Sequence, residues 1–365
     1  MWRRTPVIAF WLVLAGLVST GCSSSTAWPD LGRLAGPDVA ALRVTGTEAT
    51  GVEGPVRVSR DGDRLLRLVG DPCVTSLEGA GEQCIGNEVI ADLAHAEWSP
   101  DGTRLVFTGD FWRRLRDPDV WVLDLADGRL ENLTDDGVDQ FDLSAPDPDA
   151  HIDLLPSWSP DGRSIRFARG HWDSGSSELM TVAVDGEGEP RSHGTIGCGR
   201  AEFVALAWSA DRVAWTCGAH EPSVWTADHS GQNAVEVMRS KKGEDRMLLS
   251  FSPNGKWLLV DSGTQYVTSS PRPGGFARVV PATGGDPVPV ADGDVAFPTW
   301  APGGQAIAYV EPPGSVKVVA EPGGEPRELH SAERLAGVDG MRLAWAPKAI
   351  LALLEGEPVR LTLEE

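Results

Sequence analysis

Short apolar runs of β type, each bounded by polar or turn residues, recur through the chain. They include Arg104-Leu105-Val106-Phe107, Ser164-Ile165-Arg166-Phe167, Val213-Ala214-Trp215, Lys256-Trp257-Leu258-Leu259-Val260 and Ala306-Ile307-Ala308-Tyr309-Val310. No long apolar face with a 3.6-residue period accompanies them, so the pattern predicts strands rather than helices. Each run follows the same kind of turn. Trp98-Ser99-Pro100-Asp101-Gly102 and Trp158-Ser159-Pro160-Asp161-Gly162 are complete copies, and Trp208, Phe251, Trp300 and Trp345 open degraded ones. Val58-Ser59-Arg60-Asp61-Gly62 is a weaker first member, which brings the units to seven.

Between two strands, Pro presets φ, Asp suits the next position and Gly takes the positive φ that closes a bulged hairpin. The motif is therefore structural, and its aromatic residues are expected to pack between neighbouring units. The units lie about 40 to 60 residues apart, the length of a four-stranded propeller blade. Third strands follow in most of them, as in Asp119 to Leu125, Leu179 to Val184, Ser223 to Ala227 and Val316 to Ala320. Short polar fourth strands, such as Arg129 to Leu133 and Pro326 to Leu329, suit an outer edge.

This alternation resembles the TolB-like β-propeller repeats, whose blades carry a Trp-Ser-Pro-Asp-Gly turn, an apolar strand, a Val-Trp-Val strand and a Leu-Thr ending. Val120-Trp121-Val122 and Asn132-Leu133-Thr134 match the last two features. The resemblance covers residues 40–365 and implies an all-β propeller of seven four-stranded blades, with six as the alternative count. The last unit has room for only two strands after Trp345, Ala349 to Leu354 and Pro358 to Leu363. Ala40 to Thr45 is expected to supply the missing strand, so that both termini close the ring.

Residues 1–21 read as a signal peptide, with a basic start at Arg3-Arg4 and an apolar stretch from Val7 to Val18 too short for a comfortable bilayer span. Ser19-Thr20-Gly21-Cys22 resembles a bacterial lipoprotein signal, which implies lipidation at Cys22 and a flexible tether over 22–39. The expected location is the extracytoplasmic face of the cell membrane, held there by the lipid. The remaining cysteines are even in number, and the sequence-local pairing Cys73 with Cys84 and Cys198 with Cys217 is the simplest of three connectivities.

A net charge of −21 argues against nucleic-acid partners. Once the repeat is subtracted, few candidates for a site remain. Asp147, Asp149 and Asp153 lie in an acidic stretch whose oxygens suit calcium, against the plainer reading of a solvated loop. No other cofactor is expected. His151 beside Asp153 could form an acid/base pair, and Trp112 and Trp172 are loop tryptophans suited to a ligand.

The sequence contains no nucleophile elbow, zinc-protease, Walker or dinucleotide motif. Serine-peptidase propellers carry a separate hydrolase domain for which no length remains here, so an enzyme is not expected. The favoured function is a non-enzymatic, monomeric scaffold that binds an envelope or membrane protein. The alternatives are a glycan or small-ligand sensor feeding a membrane receptor, and a propeller lyase with a metal-assisted site.

Overall fold

The computed structural model describes residues 38–364 apart from the segments 69–72, 78–79, 85–90, 110–117, 138–150, 171–175, 186–187, 199–202, 219–220, 242–246, 262–274, 333–334, 339–341 and 355–356. The expected signal peptide, Cys22 and nearly all of the tether lie outside the described residues. Among the described residues, twenty-nine strands form seven antiparallel sheets that follow one another along the chain. Blades 1 to 6 occupy residues 56–84, 91–132, 152–197, 203–239, 248–289 and 296–331 in simple up-and-down order.

Blade 7 combines the two ends of the chain. Its inner position is split between Leu335–Gly337 and Ala344–Ala346, which both pair with Ala349–Leu354. Glu357–Glu364 follows, and Arg43–Ala49 then adds on antiparallel, from Arg43 opposite Glu364 to Ala49 opposite Val359. The seven sheets make a seven-bladed β-propeller. The closing strand starts at Arg43 rather than at the expected Ala40, because Asp38 nucleates a turn just before it. The Asp38 side chain accepts the Ala40 N–H, and its carbonyl accepts those of Ala41 and Leu42. Leu42 still packs with Leu361 and Leu363 in the core of blade 7.

The second strands read as unbroken apolar runs because both of their faces are covered. Leu105, Val106 and Phe107 are fully buried, as are Leu258, Leu259 and Val260. Consecutive blades share clusters built around the repeat aromatics, as the sequence suggests. Trp98 packs with Leu66 and Val74 of blade 1, Trp158 with Val106 and Val122 of blade 2, and Trp208 with Leu179 and Ile196 of blade 3.

The Ser-Pro-Asp-Gly turns share one hydrogen-bond design. In blade 2 the Ser99 hydroxyl donates to Asp101 Oδ1 at 2.6 Å and accepts the Arg104 N–H at 2.9 Å, while Gly102 takes φ +69°. Blades 1 and 3 repeat these bonds through Ser59 with Asp61 and Ser159 with Asp161. In blade 5 Asn254 replaces the aspartate opposite Ser252. The serine thus anchors the turn in these blades, while Ala301 and Ala346 stand in its place in blades 6 and 7.

Both disulfides follow the sequence-local pairing. Cys73–Cys84 joins the outer two strands of blade 1, and Cys198–Cys217 ties the end of blade 3 to the second strand of blade 4.

Candidate functional site

The first strands of the blades surround a channel, and the Ser-Pro turns form its rim at one end. A cavity of about 660 Å³ occupies that end. The repeat aromatics Trp98, Trp158, Trp208, Phe251, Trp300 and Trp345 all contribute to its wall, alongside turn residues such as Ser99 and Pro100. Where the indole N–H finds a partner, it braces one blade against the preceding one. Trp158 Nε1 donates to the Glu97 carbonyl at 3.1 Å, and Trp300 Nε1 donates to the Ser250 carbonyl at 3.3 Å.

The position ahead of each aromatic holds Arg57, Glu97, Ser157, Ala207, Ser250, Thr299 and Ala344 in blades 1 to 7. Arg57, Glu97, Ser157 and Ala344 line the cavity, with Arg60, Arg166 and Arg342. Among the described residues, the lining of the cavity carries these four arginines and Glu97, on a chain whose net charge is −21.

Arg166 is 6 % exposed. Its guanidinium donates to the Ser209 carbonyl at 2.5 Å and the Trp158 carbonyl at 3.3 Å, and lies 5.6 Å from the Trp208 ring centre. Burial lowers its pKa, opposed by attraction to Glu97 and Asp161. His229 Nε2 sits 3.1 Å from the same Ser209 carbonyl, and burial also lowers its pKa, which favours a neutral ring.

Glu97 accepts the Trp158 backbone N–H at 3.3 Å. Desolvation pushes its carboxyl above the usual range, opposed by hydrogen bonds from Ser157 and Trp158 and by the charges of Arg57 and Arg166. Arg342 of blade 7 reaches blade 5, where it pairs with the buried Asp261 at 3.1 Å and donates to the Ser250 hydroxyl.

A second polar cluster joins blades 2 and 3 at the opposite end. Asp119 accepts from Asn132 Nδ2 at 2.8 Å and from the Thr134 hydroxyl at 3.0 Å, which fixes the Leu-Thr ending of blade 2. Burial pushes its pKa up to about 6, with further upward pressure from Asp153 and Asp136 and a downward pull from those two hydrogen bonds. Asp153 is buried and gives both oxygens to Arg169, at 2.8 and 2.6 Å. That ion pair is the role the geometry gives Asp153, where the sequence suggested a calcium ligand. His151 has a carboxylate partner in Asp136 at 3.0 Å, whereas the sequence pointed to Asp153.

Asp147, Asp149, Trp112 and Trp172 lie outside the described residues. Among the described residues, Cys73, Glu82 and Cys84 form one group with metal-ligand spacing, but its two sulfurs are joined to each other. The arginines and glutamate of the channel were not singled out from sequence. Arg57 and Glu97 did carry a signal, since they replace the small residues found ahead of the aromatic in the other blades.

No protein-family model matches the chain. An uncharacterized peptidase, YuxL of Bacillus subtilis (strain 168), is 27 % identical over 180 residues, which is 48 % of this chain. The match takes in 22 % of the length of that relative. Among solved structures, an oligogalacturonate lyase in complex with manganese superposes with a TM-score of 0.60 at 14 % identity, covering 89 % of this chain and 91 % of that one. The β-propeller domain of Cps50 (Swd1) from Myceliophteria thermophila gives 0.54 at 14 % identity, covering 87 % and 99 %. These likenesses show the propeller fold alone. TolB from Acinetobacter baumannii also matches, with a TM-score of 0.44 at 12 % identity over 89 % of this chain and 64 % of that one.

Proposed function

We propose that the protein is a lipid-anchored propeller on the extracytoplasmic face of the cell membrane, working as a docking scaffold for an envelope or membrane protein. The observation that carries this reading is the unequal construction of the two ends of the ring. At one end the strands are joined by tight Ser-Pro turns with their polar groups committed to one another. At the other end leave the longer connections, between Asn132 and Ile152, Gly109 and Val120, and Asp261 and Ala277. Loops held by a rigid scaffold are where binding residues concentrate.

Two disulfides support export, because such bonds persist in oxidising compartments. The basic start, the apolar stretch and Ser19-Thr20-Gly21-Cys22 support the anchor. Binding is favoured over catalysis because the described carboxylates near the longer connections serve the fold. Asp119 holds the end of blade 2, and Asp153 holds Arg169.

In-cell crosslinking followed by purification and mass spectrometry tests this, with Cys22→Ala as the unanchored control. A discrete membrane or envelope partner that is lost with the anchor is the expected result. Recovery of the same proteins with and without Cys22 would count against the scaffold and its anchor together.

A further inference from the structure

We propose that Cys73–Cys84 is a thiol–disulfide exchange site, opened by an external dithiol that attacks the exposed Cys84 and expels Cys73 beside Arg67. The site is independent of the lipid anchor and of the docking end of the ring. The other disulfide, Cys198–Cys217, is the slow-reacting comparison within the same chain.

Access decides which sulfur is attacked. Cys84 is exposed on the short outer strand of blade 1, whereas Cys73, on the third strand, is only 1 % exposed. A thiolate must reach a disulfide sulfur directly. The attacked atom is therefore Cys84 Sγ, and the leaving atom is Cys73 Sγ.

Charge favours that leaving group. Exchange is faster when the departing thiolate is stabilised, and a neighbouring arginine does this. Arg67 Nη2 donates to Cys73 Sγ at 3.1 Å. Glu82 accepts from the same nitrogen at 3.1 Å, and one of its oxygens lies within 4.8 Å of both sulfurs. The Glu82 side chain is 51 % exposed, so water screens its opposing charge more than it screens Arg67 against the buried sulfur. Cys198–Cys217 has different surroundings. Its half-buried cysteines place Cys198 Sγ 3.6 Å from the Thr216 carbonyl oxygen and Cys217 Sγ 3.8 Å from that of Gly197. Carbonyl oxygens disfavour negative charge on either sulfur.

The position in the blade lets this bond open while the fold persists. Cys73 faces Cys84 across the outermost strand pair of blade 1, where Val74 opposite Gln83 is the other pair among the described residues. The inner three strands pair with one another through Val56 to Val58, Arg64 to Arg67 and Val74 to Ser76, and Leu65 and Leu66 are fully buried between blades. Opening the bond frees an edge and leaves that core in place.

In the first step a bond forms from the dithiol to Cys84 Sγ, the Cys73–Cys84 bond breaks, and its electron pair leaves on Cys73 Sγ. The second sulfur of the dithiol then displaces Cys84 Sγ. The dithiol departs as a disulfide, having passed two electrons to the protein, and its two protons end on Cys73 and Cys84.

The test is reduction of the purified full-length chain by dithiothreitol without denaturant, quenched with iodoacetamide and read by peptide mass spectrometry. Cys73–Cys84 is expected to open about tenfold faster than Cys198–Cys217, with native tryptophan fluorescence retained. A brief pulse of the monothiol 2-mercaptoethanol, quenched in the same way, should leave the mixed disulfide on Cys84 and the alkyl group on Cys73. Arg67→Gln should slow the opening about threefold without changing the Cys198–Cys217 rate, and Arg67→Lys should restore part of it. If Arg67→Gln does not fold, the order of opening and the trapped sulfur in the native sequence decide. Equal rates for the two bonds, a mixed disulfide on Cys73, opening only with loss of native fluorescence, or a folded Arg67→Gln that opens at the native rate would each overturn the proposal.

Discussion

Replacing Ser99 by alanine isolates the device that the repeat uses to join its first two strands. The hydroxyl is buried, donates to Asp101 at 2.6 Å and accepts the Arg104 N–H at 2.9 Å, and the alanine keeps Cβ, so little volume is lost. A neutral hydrogen bond contributes about 1 kcal/mol and one to a charged group about 1.5–3 kcal/mol. Asp101 stands mostly in water, so its share needs a substantial discount for solvent screening, which leaves a total loss of about 1–2 kcal/mol. The Ser99 hydrogen bond is also the leading cause that lowers the Asp101 pKa to about 2. A depressed carboxylate pKa stabilises the fold above the unfolded value, and that contribution is lost as pH falls through the folded value. Urea unfolding at neutral pH followed by tryptophan fluorescence should show the loss, and NMR titration should show the Asp101 pKa rising towards the usual carboxylate range. Ser209→Ala is the internal comparison, because the Ser209 hydroxyl bonds the Arg212 backbone and the Asp211 N–H with no carboxylate acceptor. A Ser99→Ala loss below about 0.3 kcal/mol, or a larger loss in Ser209→Ala, would refute the assignment of the turn to its serine and aspartate.

Phe107→Ala removes a fully buried ring from the second strand of blade 2 and should cost about 3–5 kcal/mol in the same unfolding assay. The double substitution Cys198→Ser with Cys217→Ser should lower stability by about 3 kcal/mol, and a reductant should then add no loss from that bridge. Asp119→Asn addresses pH. The raised pKa of Asp119, about 6, means that the fold holds its proton more tightly than the unfolded chain does, so stability falls as pH rises through that value. Unfolding midpoints measured on both sides of that pKa should lose this step in the variant. Parallel profiles for the two proteins would count against it.

The turn motif made the architecture legible because it is both chemical and periodic. Ser-Pro-Asp-Gly demands a hairpin, and its spacing demands a blade, so the blades and most strand positions could be read without three-dimensional information. Local cysteine pairing was legible for a similar reason, since Cys73 and Cys84 sit opposite each other on adjacent strands. The start of the closing strand was less legible, because the Asp38 turn competes with the apolar Ala40-Ala41-Leu42 for the same residues. The channel was harder still. Arg166 lies on a second strand and Arg342 ahead of the inner strand of blade 7, and their meeting with Arg57 and Glu97 depends on closing the ring rather than on local pattern.

A seven-fold repeat is economical for building a ring but has little information with which to recognise an asymmetric molecule. Recognition has to come from positions where the blades differ. Turn serines and inter-blade aromatics serve the scaffold, the serines in blades 1 to 5 and the aromatics in blades 2 to 7. The slot ahead of the aromatic is not so constrained, and it changes from Arg57 to Glu97 to Ser157 across blades 1 to 3 while staying small or uncharged in the rest. Introducing charge there lowers stability unless something uses it, since the channel wall is partly desolvated. At physiological salt the acidic exterior is screened beyond about 8 Å, whereas charges lining a narrow cavity act on its contents at closer range. Arg57 and Glu97 are the charged departures of that slot from the repeat, and Arg166 and Arg342 meet it as ties between blades.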